Sequence, residues 1–140
     1  MEGSGKESEK KVLYPGEGFW VLEKDGVHLV GSHCRKCGQN YFPPRDICSK
    51  CFAQNQMEEI RLSNSGKLYS YSIIYVAPKE FKTPYAVGYV DFPEGVRVLG
   101  QLTTSDPGAL KLDMTVQPEI GKIAMDDQGN DVVSYKFRPQ

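Results

Sequence analysis

Two Cys-x-x-Cys pairs, Cys34/Cys37 and Cys48/Cys51, constrain this chain more than any other feature, and it has no other cysteine. Two residues between cysteines let one tight turn aim both sulfurs at a single point. Two such knuckles face to face make a tetrahedral four-thiolate site that suits Zn2+ with every position filled by protein. Gly38 directly follows the first pair. A glycine there can take a positive φ and leave backbone N–H groups pointing at the sulfurs. The second knuckle, Cys48-Ser49-Lys50-Cys51-Phe52, has no such glycine and must turn by another route. Cys34, Cys37, Cys48 and Cys51 are therefore the expected ligands of one structural zinc. A closed four-thiolate shell keeps no open position for a substrate.

Other uses of four cysteines stay open at this point. Iron also fits four thiolates. A disulfide framework needs an oxidising compartment, and a redox Cys-x-x-Cys is usually single. The first ten residues are polar and carry no apolar core of a signal peptide. No run approaches the length of a membrane span. The expectation is a cytoplasmic protein with reduced thiols and no membrane association.

Net charge is −1 over 140 residues. No global basic field is available to hold nucleic acid, and the length allows one ordinary domain or two small ones. Residues 1–13 read as a disordered arm, being polar, charged and poor in apolar groups. Over 14–26, Phe19, Trp20, Val21 and Leu22 suggest the apolar side of a short helix ending at Gly26. Residues 27–60 read as a small zinc ribbon of the rubredoxin-like kind. Its inter-knuckle stretch, with Pro43 and Pro44, lacks two N–H donors and cannot be a central ladder strand.

From 61 to 140 the signals are β-type. Lys67–Val76 is aromatic and β-branched, and period two puts Tyr69, Tyr71, Ile73 and Tyr75 on one face. Residues 85–92 form a second strand. Phe92-Pro-Glu-Gly-Val is a hairpin turn, with Gly95 at its left-handed position. Val96, Val98, Gly100 and Leu102 alternate with Arg97, Leu99 and Gln101. A fourth strand over 116–125 is interrupted by Pro118, which points to an edge or a bulge. Val133, Tyr135 and Phe137 alternate in the last strand. Five such strands fit a small closed barrel, for which the OB-fold is the common solution. The fold class is thus mainly β: a short helix, a zinc ribbon and a five-stranded OB-fold barrel.

The combination resembles the zinc-ribbon/OB-fold proteins that accompany thiolases and related acyl-CoA enzymes. The matching residues are Phe19-Trp20, Cys34-x-x-Cys37-Gly38, Tyr41-Phe-Pro-Pro-Arg45, Cys48-x-x-Cys51, Ser65-Gly-Lys-Leu-Tyr-Ser70, Thr83–Val90, Glu94–Gly100 and Tyr135–Pro139. They cover nearly all of the chain past the arm. The family often has a glycine just before the fourth barrel strand, where this chain has Asp113-Met114. The resemblance implies a non-catalytic subunit, hetero-oligomeric with a larger thiolase-like partner and helping to hold acyl-CoA or coenzyme A.

The residues agree on one point. Thiolysis needs a cysteine nucleophile with acid and base groups nearby. All four cysteines are claimed by the metal, and the histidines are only His28 and His33. His33 adjoins Cys34 and reads as a solvated loop residue, or else a further ligand or a donor to sulfur. No nucleophile elbow or phosphate-cradling glycine loop is present, so no active site of its own is expected.

Candidate coenzyme A contacts are Arg45, stiffened by two prolines, and Lys79, Phe81 and Lys82 in the long loop after the first barrel strand. The segment 34–51 carries four cations against Asp46, a net +3 that can meet phosphates or simply solvate the ribbon. A second class of function is an OB-fold module for single-stranded nucleic acid, stacking bases on Tyr69, Tyr71, Tyr75 and Tyr89 beside Arg97. A third is redox or metal handling by the cysteine pairs.

Overall fold

The computed structural model describes residues 12–14 and 17–140. In chain order the strands are β1 (Val12–Leu13), β2 (Trp20–Glu23), β3 (Gly26–Cys34), β4 (Asn40–Tyr41), β5 (Met57–Arg61), β6 (Gly66–Ile74), β7 (Tyr85–Asp91), β8 (Arg97–Leu102), β9 (Thr115–Met125) and β10 (Asp131–Pro139). Among the described residues, helix is confined to two single 3-10 turns, Glu17–Phe19 and Pro107–Ala109.

The short helix expected over 14–26 is a correction. After one turn at Glu17–Phe19 the chain enters β2, which pairs with β3 from Trp20↔Leu29 to Glu23↔Gly26. Lys24-Asp25 is the two-residue loop of a hairpin, and Gly26 takes φ +125°. Gly26, directly after that loop and before an apolar run, was the legible turn signal. Residues 1–11 of the expected disordered arm lie outside the described residues. Its last two, Val12 and Leu13, are instead a strand, pairing in parallel with Asp131 and Val132.

The barrel closes on itself. β6, β7 and β8 form an antiparallel meander. β8 meets β10 in parallel at Leu102↔Phe137, and β10 pairs antiparallel with β9. β9 returns to β6 at Gly66↔Val116 and Lys67↔Thr115. Closure removes the open edges that a flat five-stranded sheet would expose.

Two bulges set which side chains point inward. Leu68 pairs with Val90 but Ser70 pairs with Tyr89, so Tyr69 is an extra residue. One extra residue inverts the period-two phase. Leu68 is therefore buried before the bulge, Tyr71 and Ile73 pack on the core after it, and Tyr69 is 54% exposed. The single face expected for Tyr69, Tyr71, Ile73 and Tyr75 is broken at both ends, since Tyr69 is the bulge residue and Tyr75 lies exposed beyond the end of β6. In the last hairpin the extra residue is Ile123, between Ala124↔Val132 and Lys122↔Val133. The irregularity expected at Pro118 is thus five residues further on. Pro118 sits in register with Phe137, whose carbonyl accepts from the Thr103 N–H on the β8 side. The Pro118–Phe137 pair is a non-hydrogen-bonded one, and the missing N–H costs that ladder nothing.

Ribbon and barrel share one core. Leu29 from the ribbon joins Leu62, at the junction, and Leu68, Val90, Val98, Val116 and Phe137 in a single cluster, with Trp20 and Phe42 packed against it. Each such buried side chain contributes about 1.5–3 kcal/mol. Polar clamps add to this union. The Ser63 N–H and hydroxyl donate to the Glu94 carboxylate, and Asn40 Nδ2 donates to the Glu94 carbonyl at 2.9 Å. The β7–β8 turn is thereby tied to the ribbon. Gly31 lets β4 lie close on β3, since a Cβ there would strike the Tyr41 carbonyl oxygen.

Candidate functional site

The two knuckles are built alike. In the first, the Gly38 N–H donates to the Cys34 carbonyl at 2.8 Å and the Cys34 N–H to the Gln39 carbonyl at 2.9 Å. In the second, the Phe52 N–H donates to the Cys48 carbonyl at 2.8 Å and the Cys48 N–H to the Ala53 carbonyl at 3.3 Å. Gly38 has φ +84° and Phe52 +61°. The second knuckle therefore turns without glycine by placing an aromatic residue in the left-handed region, with its ring 75% exposed.

Four sulfurs converge. Cys34 and Cys51 Sγ lie 3.6 Å apart and Cys37 and Cys48 Sγ 3.5 Å, and all four fall within 4.8 Å of one another. Tetrahedral zinc–sulfur bonds of about 2.3 Å separate the sulfurs by about 3.8 Å, so the residues fit the ion. The separations are far beyond a disulfide bond, and all four cysteines are free. The Cys37 N–H points at Cys34 Sγ (3.5 Å) and the Cys51 N–H at Cys48 Sγ (3.4 Å), donors suited to thiolate charge.

The thiols are unequal. Burial opposes charge on Cys48, but the Tyr41 hydroxyl, the Cys51 and Lys50 N–H groups and the Cys37 thiol together hold it down to about 5. The Cys37 N–H leads a set of donors that lowers Cys34. Cys37 has a favourable N–H from Gln39, yet burial and the three neighbouring sulfurs push it up to about 11. Crowded sulfurs of this kind call for a cation among them.

His33 is neither a ligand nor a loop residue. It lies within β3 opposite Asn40, and its Nδ1 meets Asn40 Oδ1 at 2.6 Å. His28 belongs to another group. Its Nδ1 bonds the Leu62 carbonyl at 2.8 Å and its Nε2 lies 2.7 Å from Asp25 Oδ1, with Glu23 at 3.9 Å.

At the ribbon tip, Phe42 packs edge-on to Phe19 (5.7 Å) and Tyr135 (5.6 Å), while Pro43 and Pro44 are exposed. The Arg45 N–H donates to Ser32 Oγ at 3.0 Å, and its guanidinium lies 4.5 Å from the centre of the Tyr41 ring.

Lys79 and Lys82 lie elsewhere. Loop 75–84 folds back on the end of β9, where the Met125 N–H donates to the Glu80 carbonyl at 2.8 Å. A cavity of about 610 Å³ opens between this loop and β8, β9 and β10, and Lys79, Lys82, Lys122 and Lys136 line it with Glu80. Lys122 pairs with Asp131 at 3.2 Å and Lys136 donates to the Lys122 carbonyl. Lys79 and Lys82 have no ion-pair partner among the described residues.

An apolar hollow of about 410 Å³ adjoins that cavity, sharing Tyr85, Gln101 and Ile123 and adding Phe19, Phe81, Leu99 and Tyr135. Phe81 stacks on Tyr85 with centroids 5.5 Å apart. The loop residues are thus brought together around adjoining charged and greasy spaces, and Arg45 lines neither. Lys122 and Lys136 were missed by sequence reasoning. Each stands in an alternating strand where a lysine reads as an ordinary solvated position.

Of the aromatic residues named for base stacking, Tyr69, Tyr75 and Tyr89 are exposed. Tyr71 is half-buried with its hydroxyl toward the Leu110 carbonyl. Arg97 holds Asp91 with two nitrogens and lies 3.5 Å from the Tyr69 ring centre. Among the described residues no helix is long and apolar enough to cross a membrane.

Comparison with known proteins agrees with this architecture. Residues 28–58 match the rubredoxin-like zinc ribbon domain of ChsH2, and residues 59–120 match its C-terminal OB-fold domain. A DUF35 domain-containing scaffold protein of Methanocaldococcus jannaschii is 39% identical over 86% of this chain and 87% of its own length. A benzoylsuccinyl-CoA thiolase subunit, BbsA, of Thauera aromatica is 39% identical over 79% of this chain and 76% of its own. Among solved structures, an Ltp2-ChsH2(DUF35) aldolase chain superposes with a TM-score of 0.64 at 26% identity, covering 80% of this chain and 84% of that one. With its four cysteines arranged for zinc and a ribbon running straight into a closed OB-fold barrel, the chain belongs to the DUF35 family of ChsH2-type zinc-ribbon/OB-fold proteins.

Proposed function

We propose that this chain is the non-catalytic, zinc-bearing subunit of a thiolase complex, and that it helps hold acyl-CoA while a larger thiolase-like partner performs the chemistry. The specific reaction proposed is thiolytic cleavage of 2-benzoylsuccinyl-CoA by coenzyme A to benzoyl-CoA and succinyl-CoA. The name of the Thauera aromatica relative, a benzoylsuccinyl-CoA thiolase subunit, supports the substrate. The observation that carries the proposal is the lysine-lined cavity joined to an aromatic hollow. Coenzyme A is an amphipathic anion. Its phosphates suit Lys79, Lys82, Lys122 and Lys136, and its pantetheine arm suits the surface beside Phe81 and Tyr85. Arg45 would serve as a separate contact at the ribbon tip.

The cysteines support the accessory role. Thiolysis in the partner would need a nucleophilic thiolate to take the acyl group and pass it to coenzyme A, and a sulfur closed into a four-thiolate shell is not open to do this. The ion itself would supply folding energy and a rigid ribbon. The nucleic-acid reading has less support, because Arg97 is already engaged by Asp91 and the lysines lie off the tyrosines.

The test is to assay this chain and the co-purifying large subunit separately and then together, with a β-ketoacyl-CoA and coenzyme A. Activity only in the mixture is expected. Turnover by this chain alone would refute the accessory role.

A further inference from the structure

Tyr41 ends β4 beside the second knuckle. Its hydroxyl oxygen accepts from the Lys50 N–H at 3.2 Å and from the Ser49 hydroxyl at 3.1 Å. A phenol oxygen takes at most two donors and has one proton to give. With both acceptor places filled, that proton faces Cys48 Sγ, 3.2 Å away. Cys48 is fully buried, so its sulfur relies on protein donors rather than on water. The matching sulfur of the first knuckle, on Cys34, receives the Cys37 N–H but no hydroxyl among the described residues. The two knuckles are therefore alike in backbone and different in what reaches their sulfurs. The Arg45 guanidinium lies over the Tyr41 ring, and the Arg45 N–H is pinned to Ser32 Oγ.

We propose that Tyr41 is an outer-sphere ligand of the metal, its phenol proton resting on the Cys48 thiolate, so that the ribbon tip governs how tightly the second knuckle holds the ion. Four thiolates around a divalent cation leave the centre with net negative charge inside a poorly solvated ribbon. Donors to sulfur disperse that charge, and an O–H donor to an anion is stronger than a neutral pair. Removing the phenol proton leaves the Cys48 sulfur with backbone donors alone. This inference rests on the four-cysteine centre and is independent of any role in a thiolase complex.

The test uses the full chain loaded with zinc or with an NMR-active cadmium isotope. Tyr41→Phe keeps the ring and its contact with Arg45 but loses the proton. Its zinc affinity, read by competition with a chelator, should fall roughly ten- to a hundredfold. Ser49→Ala removes a donor to the phenol and leaves the phenol's own bond, so its affinity should stay within about twofold of the parent. In the cadmium form of the unaltered protein, scalar coupling from the metal through Cys48 to the Tyr41 hydroxyl proton is expected. A folded Tyr41→Phe protein with undiminished zinc affinity would overturn the proposal. If Tyr41→Phe does not fold, the cadmium spectrum of the parent decides alone: absence of the hydroxyl coupling, with metal bound and the backbone N–H couplings present, would overturn it.

Discussion

Gly38 and Phe52 hold equivalent positions in the two knuckles, each donating its N–H to the carbonyl of the first cysteine of its pair at 2.8 Å, and both at positive φ. Left-handed backbone costs an L-residue about 1–2 kcal/mol, whereas glycine loses about 0.5–1 kcal/mol of conformational entropy on being ordered. Phe52→Gly should therefore stabilise the metal-loaded protein by about 0.5–1 kcal/mol, because the exposed ring gives up little packing. Gly38→Ala should destabilise it by about 1–2 kcal/mol through φ alone, since a Cβ there meets nothing within 4 Å. Denaturant titration of both variants checks the pair. A loss of stability in Phe52→Gly would mean that the ring makes contacts that outweigh the strain.

Metal removal should be felt across the molecule. Leu29 of the ribbon is packed into the same cluster as Leu62, Val116 and Phe137 of the barrel domain. Metal binding supplies much of the folding free energy of such modules. Chelation, or Cys48→Ser, should lower a single unfolding transition rather than melt the ribbon alone. Trp20 fluorescence and far-ultraviolet circular dichroism should report one midpoint. Two separated midpoints would make the barrel independent of the ribbon.

Lys79→Ala and Lys82→Ala, made separately in the complex, should each weaken coenzyme A binding roughly ten- to a hundredfold, the size of a lost charge-assisted hydrogen bond of about 1.5–3 kcal/mol. Arg45 lies outside that cavity, so its replacement by Ala should combine additively with either lysine change. Isothermal titration of the complex reads all three. No change in affinity or subunit association in any variant would reduce these residues to a solvated face.

His28 should give the protein a pH-dependent stability. Burial works against its charge, but the bond to the Leu62 carbonyl and the carboxylates of Asp25 and Glu23 outweigh it, and its pKa is raised above 6.5. A raised folded-state value means the contribution is complete below pH about 6.5 and is lost as pH rises through the folded pKa. Stability should decline over that interval in the parent, and the decline should be absent in His28→Asn. Chemical denaturation at several pH values, with the metal kept bound, tests this. An equal slope in the variant would assign the effect to another group.

The sequence by itself determined what depends on neighbouring residues. Cys-x-x-Cys spacing is a local turn, so the four ligands were legible without a fold. The alternation from Val96 to Leu102 was legible because β8 has no bulge. Gly95 was legible as a left-handed turn residue, and the structure gives it φ +84°. The family resemblance implied a glycine at the place before β9, where this chain has Asp113-Met114. Asp113 there adopts φ +71° and donates its N–H to the Leu68 carbonyl at 2.7 Å.

Tertiary structure decided what depends on pairing and closure. The phase of β6 changes at Tyr69 because its partner β7 lacks the extra residue. The segment 20–23 is a strand because β3 offers it a ladder. The four lysines of the cavity lie 57 positions apart in the chain at their extremes, from Lys79 to Lys136. Only closure of β6 through β10 brings them together. Local chemistry is written in adjacent letters, whereas a cavity is made by strands whose meeting is set by the barrel's shared core.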